Sequence, residues 1–184
     1  MSSPSDFSKL CIHTITTKPW SIEEAMDKYA AAGVAGITVW RQSLADRKIE
    51  RIGDQLRERN LEITSLCRGG FFPAKTAKGL SEAIAENRLA IREAAALGAP
   101  MIVLVCGAVP GQSLSESRKQ IADGIAAILP LAEEHGIRLA VEPLELEVAG
   151  QQHHAIRHRR HETAELTKQL ERASLVELLA PVNA

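Results

Sequence analysis

The run Arg138-Leu-Ala-Val-Glu142-Pro143 carries a short apolar stretch onto a carboxylate. A carboxylate at the end of a buried strand is costly unless it is paired or metal-bound, so Glu142 is either a ligand to a cation or one half of a structural ion pair. Other apolar runs end in the same manner, on His13-Thr14, Trp40-Arg41-Gln42, Arg68-Gly69-Gly70-Phe71-Phe72 and Cys106-Gly107. His13 can orient a substrate or donate a proton, and the plain alternative is a hydrogen-bonded structural histidine. Arg68 can hold a phosphate or carboxylate through its planar fork, with Gly69 and Gly70 letting backbone amides approach; otherwise it is an exposed loop arginine. Trp40 suits the wall of a pocket better than a reactive role, and Cys67 and Cys106 read as small buried residues.

These groups need elements that bring them together. Four times a helix-like stretch ends at Gly or Asn and an apolar strand follows. Strand one is expected at about residues 10–14, then a helix opening at Ser21 with Glu24 in a capping box and closing at Gly33. Strand two, residues 36–40, precedes a helix at about 45–59 closed by Asn60, and strand three covers 62–67. A helix over about 81–97 stops at Gly98, strand four is 101–105, and a fourth helix opens at a second capping box, Ser113 with Glu116, and ends at Gly136. Ile121, Ile125, Ile128, Leu129 and Ala132 keep the spacing of a helix face laid on a sheet, although Pro130 predicts a kink. Strands four and five are nearly continuous apolar runs, as expected of parallel strands covered on both faces. An open doubly wound sheet and a (β/α)8 barrel both satisfy this pattern. No Gly-x-Gly-x-x-Gly follows strand one and no phosphate-binding loop of the Walker type occurs, which weakens the nucleotide-binding versions.

Composition narrows the class of function. The 184 residues suit one α/β domain, with 45% hydrophobic, 24% charged and only 3% aromatic residues. A formal net charge of -1 provides no field for a phosphodiester backbone, so nucleic acid is not the expected partner. Cys11, Cys67 and Cys106 are odd in number and widely spaced, which argues against a disulfide framework. No apolar run reaches membrane-spanning length and residues 1–6 lack the features of a signal peptide. A cytoplasmic, reducing compartment is expected.

Taken in order, Ile12-His13-Thr14, Trp40-Arg41, Leu66-Cys67-Arg68-Gly69-Gly70-Phe71-Phe72-Pro73 and Val141-Glu142-Pro143-Leu144 resemble the sugar phosphate isomerase/epimerase family, the xylose isomerase-like TIM barrels. The similarity covers about residues 7–144. It implies an α/β fold of the (β/α)8 TIM-barrel type, here incomplete, with about four and a half βα units in 1–144 plus a C-terminal helix. It also implies a divalent metal (Mn, Mg, Co or Zn), of whose usual ligands Glu142 alone maps onto this chain. In such enzymes the metal polarises a carbonyl or alkoxide while a carboxylate moves the neighbouring proton, which gives aldose-ketose isomerisation or epimerisation of a sugar, sugar phosphate or related hydroxy-carbonyl compound. On that reading Glu142 and His13 are catalytic, and Arg68, Trp40, Gly69 and Gly70 bind a carbohydrate substrate.

The chain departs from the family pattern after Leu144. Residues 145–184 form a polar tail in which one helix is expected over about 162–179, and an abrupt composition change of this kind suits a frameshift, an internal truncation or a divergent terminus. His153, His154, His158 and His161 lie there at spacings that allow adventitious metal binding if helical, although a solvated stretch is the plainer reading. An open parallel sheet exposes strand edges, so a homo-oligomer is expected. Two other functions remain open: a half-barrel that pairs with a second copy as an assembly module without catalysis, and a metal-dependent endonuclease of the apurinic-site type.

Overall fold

The computed structural model describes residues 7–143 and 176–178. Within them the elements run β1 (Cys11–His13), α1 (Ile22–Ala31), β2 (Gly36–Trp40), α2 (Ile49–Glu58), β3 (Glu62–Gly70), α3 (Ala77–Leu97), β4 (Met101–Cys106), α4 (Leu114–Glu134), β5 (Arg138–Pro143) and β6 (Val176–Leu178). Every strand pairs in parallel with its neighbour in sequence, so the sheet order is β1-β2-β3-β4-β5-β6. That order settles what periodicity left open. A doubly wound sheet reverses direction at a switch point, whereas a sheet that adds each strand on the same side is the singly wound pattern of a barrel wall.

Local chemistry fixes the helix ends. At α1 the Ser21 hydroxyl accepts from the Glu24 amide at 3.1 Å and the Glu24 carboxylate accepts from the Ser21 amide at 3.3 Å, a complete capping box. At α4 only half of the expected box forms: Ser113 accepts from the Glu116 amide at 3.1 Å, while the Glu116 carboxylate accepts from Gln120 one turn on. Gly33, Gly98, Gly136 and Asn60 all have positive φ and end their helices as the sequence predicts. Pro130 is accommodated inside α4.

Several boundaries differ from expectation for reasons of packing. The second helix begins at Ile49 rather than 45, because Arg41–Leu44 form a tight 3-10 turn directly after β2. The third begins at Ala77, where the Thr76 hydroxyl accepts from the Gly79 amide at 3.0 Å and moves the start one turn earlier than 81. β3 continues through Arg68, Gly69 and Gly70, which the sequence assigns to a loop. The helix expected over 162–179 does not include 176–178, which form β6 against Leu139, Ala140 and Val141 of β5. The rest of that expected helix, and the four histidines of the tail, lie outside the described residues.

The strands alternate between two buried faces. Ile37, Val39, Leu66, Ile102, Leu104, Leu139 and Val141 join the inward stripes of the helices in one apolar cluster with Ile91, Leu97, Ile125 and Ile128. Fully buried side chains of this size stabilise the fold by roughly 1.5–3 kcal/mol each. Cys67, Val103, Val105 and Ala140 are buried on the opposite face, the one that lines a barrel. The three cysteines are free, and among the described residues no helix is long and apolar enough to cross a membrane.

Candidate functional site

Parallel partners in register point to the same face, so the strand pairing shows which side chains share the lining. One row is His13 and Thr38; the next is Trp40, Cys67, Val103 and Ala140; the last is Gly70, Val105 and Glu142. His13, Trp40 and Glu142 therefore lie on one face at the carboxyl ends of β1, β2 and β5. The structure brings these sequence-derived candidates together.

The pair His13 and Trp40 sets a tautomer. Trp40 Nε1 donates to His13 Nδ1 across a long 3.4 Å, so a neutral His13 carries its proton on Nε2. Desolvation against its surroundings lowers the His13 pKa, more than the nearby charge of Glu142 raises it. At neutral pH the ring is an uncharged Nε2–H donor, suited to hydrogen-bonding a substrate oxygen.

The indole face of Trp40 is taken by Arg68, whose guanidinium carbon lies 5.5 Å from the Trp40 ring centre and 4.4 Å from that of Phe71. Arg68 is half-buried, and no carboxylate among the described residues is its partner. Arg41 differs sharply: its guanidinium meets Glu86 at 2.9 Å and Glu93 at 2.5 Å, both on α3. A cavity of about 110 Å³ opens between these arginines, lined also by Gly70, Phe71, Glu86 and Asn87.

The two glycines serve packing. Gly70 has φ +99°, and a Cβ there would lie 2.2 Å from the Val105 carbonyl oxygen; one on Gly69 would lie 2.6 Å from Asn87 Oδ1. The Gly70 amide donates to Asn87 Oδ1 at 2.6 Å, and Asn87 Nδ2 donates to the Gly70 carbonyl at 2.7 Å and to that of Ala83 at 2.9 Å. The Gly70 amide is thus already committed, contrary to the expectation that it is open to a ligand. Asn87 replaces a ladder where the register shifts between Cys67 and Gly69.

Both buried cysteines favour the protonated thiol. Burial first, and the charge of Glu142 second, push the Cys67 thiol up to about 11 and the Cys106 thiol up to about 12. Arg68 acts in the opposite sense on Cys67.

Sequence reasoning missed Asn87 and the ties of Arg41. A signal for each existed: Asn is a poor choice for a helix interior unless it has a task, and Glu86 and Glu93 stand seven residues apart on one helix face. For a divalent cation, the Glu142 carboxylate is suitable in kind, but the ligand number is short. Among the described residues no three His, Cys, Asp or Glu side chains gather as a metal-holding set.

The fold has counterparts. A protein from Sinorhizobium meliloti 1021, SMc04130, is 33% identical with a TM-score of 0.77; the match covers 92% of this chain and 61% of that one. The 3-keto-D-glucoside 4-epimerase YcjR from E. coli shares the fold at 20% identity and TM-score 0.64, over 87% of this chain and 63% of that one. The IolI protein, solved with a bound zinc atom, does so at 20% and 0.66, over 74% and 51%. This chain thus spans about three fifths of the length of SMc04130. No curated protein matches the sequence. Residues 26–180 match the xylose isomerase-like TIM barrel family, and with its singly wound parallel sheet the chain belongs to that family.

Proposed function

We propose that this chain serves an isomerase or epimerase acting on a sugar, a sugar phosphate or a related hydroxy-carbonyl compound. The observation that carries the reading is the convergence of Glu142, His13 and Trp40 on the lining face at the carboxyl ends of the strands, with the Arg68 guanidinium over the Trp40 ring. Chemistry in parallel α/β barrels sits at that edge. On this reading Trp40 forms a side wall for the substrate on the lining face and Arg68 takes its polar end. His13 donates its Nε2 proton to a substrate oxygen, which stabilises negative charge developing there when the neighbouring carbon loses its proton. Glu142 is the proposed ligand for a divalent cation (Mn, Mg, Co or Zn), which when bound supplies Lewis-acid polarisation. The zinc held by IolI supports that assignment by fold likeness, and YcjR supports epimerisation in the same way. No step is derived through the cation, because the described residues do not complete its site.

The test has two readouts. Thermal unfolding followed at rising Mn²⁺ should show stabilisation that grows with metal concentration and disappears in Glu142→Gln. Incubation of α-hydroxy ketones and aldoses with the protein in D₂O should place deuterium on the carbon next to the carbonyl, at a rate reduced by Glu142→Gln and by His13→Gln. Metal indifference together with no exchange in any compound would refute the proposal.

A further inference from the structure

We propose that Arg68 is an oxyanion clamp, so that the small molecule bound at this rim carries a carboxylate or phosphate group paired with the Arg68 guanidinium between Trp40 and Phe71. The inference rests on the isomerase reading for the place of the site, and it commits the substrate to a sugar acid or phosphate ester rather than a neutral sugar.

Three observations converge on the clamp. The first is the aromatic setting: the guanidinium carbon lies over the Trp40 and Phe71 rings, 5.5 Å and 4.4 Å from their centres, so two apolar walls hold the head group while its N–H donors remain to be offered. A planar fork of that kind matches the paired oxygens of a carboxylate or phosphate. The second is charge accounting along the cavity wall. Arg41 is held by both Glu86 and Glu93, whereas Arg68, which lines the same cavity of about 110 Å³, forms no direct ion pair with a carboxylate among the described residues. The third is direction. Arg68 follows Cys67 in β3, Cys67 pairs with Val103, and Glu142 pairs with Val105 two residues further along the same strand, so Cys67 and Glu142 share the lining face. A ligand anchored by its anionic end at Arg68 reaches across Cys67 toward Glu142 and His13 with its uncharged carbons.

Asn87 makes the clamp rigid. Its side chain fixes both the amide and the carbonyl of Gly70 at 2.6 Å and 2.7 Å, which holds the strand end that follows Arg68. Trp40 is held as well, since its N–H is given to His13 and its backbone amide donates to Thr14 Oγ1 at 3.0 Å. An anion thus meets a clamp whose parts are already in place.

Trp40 offers a direct readout. The sequence holds two tryptophans, so a Trp20→Phe background leaves Trp40 as the sole indole, stacked on the residue in question. Its fluorescence is followed during titration with glycerol 3-phosphate, glycerate and glycerol at constant ionic strength in the presence of a chelator. Both anions, or one of them, should give a saturable change, and glycerol none; whichever anion binds tighter identifies phosphate or carboxylate as the group recognised. Arg68→Lys keeps the charge and the stem without the fork, and should weaken binding about tenfold or more. Arg68→Gln should abolish it with the far-UV circular dichroism unchanged. The clamp is wrong if glycerol binds as well as the anions, if neither anion saturates, or if Arg68→Lys binds as the parent does. The chelator separates the two proposals: Glu142→Gln should lose metal stabilisation and keep the anion response, while Arg68→Gln should do the reverse.

Discussion

Asn87 is nearly fully buried, at 2% exposure, with both ends of its amide engaged. Replacing it by Ala leaves the Gly70 amide and carbonyl without partners, and an orphaned buried polar group costs about 1–3 kcal/mol. Urea unfolding of Asn87→Ala should show a loss of that order. Asn87→Asp should be at least as harmful, because a carboxylate cannot donate to the Gly70 and Ala83 carbonyls. Cysteine ionisation gives a second residue-scale expectation. A thiol raised from its ordinary value to about 11 or 12 in the folded state adds stability below the unfolded pKa, and that stability is lost as pH rises through the folded value. Stability should therefore fall above about pH 9, and the fall should be smaller in Cys106→Ala, as measured by urea midpoints at pH 8 and pH 10. Glu142→Gln should bring the Cys67 thiol down, read as faster alkylation at pH 10. At this scale the sequence was most legible where a residue ends a strand: His13, Trp40 and Glu142 all stand at or next to the carboxyl ends of their strands. It misled at Gly70, because nothing local to the Arg-Gly-Gly run announces a partner seventeen residues on.

Elements respond to the same logic through their contacts. Phe72 is fully buried and lies against Gly124 of α4, where an added Cβ would sit 2.3 Å from the ring. Gly124→Ala should destabilise by about 1–3 kcal/mol, since the helix must move off the ring or the ring must leave its rotamer. A melting temperature within a degree of the parent would show that α4 shifts at no cost. Helix starts and stops were the most readable elements, because a cap and a left-handed stop are local chemistry: Ser21 with Glu24, Gly33 and Gly98 behave as their residue types require. The length of β3 was not readable, as Arg-Gly-Gly has the composition of a turn and is held extended only by β4 and Asn87. Likewise nothing in residues 41–44 distinguishes a 3-10 turn from an early helix start.

For the whole molecule, parallel strands and covering helices followed from the apolar runs, but strand order did not, since the same pattern serves a sheet that reverses and one that does not. Among the described residues β1 pairs on one side only, with β2. Phe7, Leu10 and Ile15 around it are 39%, 41% and 39% exposed, an apolar margin beside an unpaired edge. We expect concentration-dependent self-association in sedimentation velocity, reduced in Leu10→Lys; a monomer at every concentration would rule out pairing through this edge. The strand order has a further consequence, in time rather than space. Each strand finds its partner in the unit made just before it, so no strand has to wait for a distant one or be threaded between two already in place. Assembly can then follow synthesis, each βα unit docking on the last as it emerges, and the loop entropy of each closure stays that of a single unit. The polar rim is then built up in chain order, from His13 on β1 to Glu142 on β5.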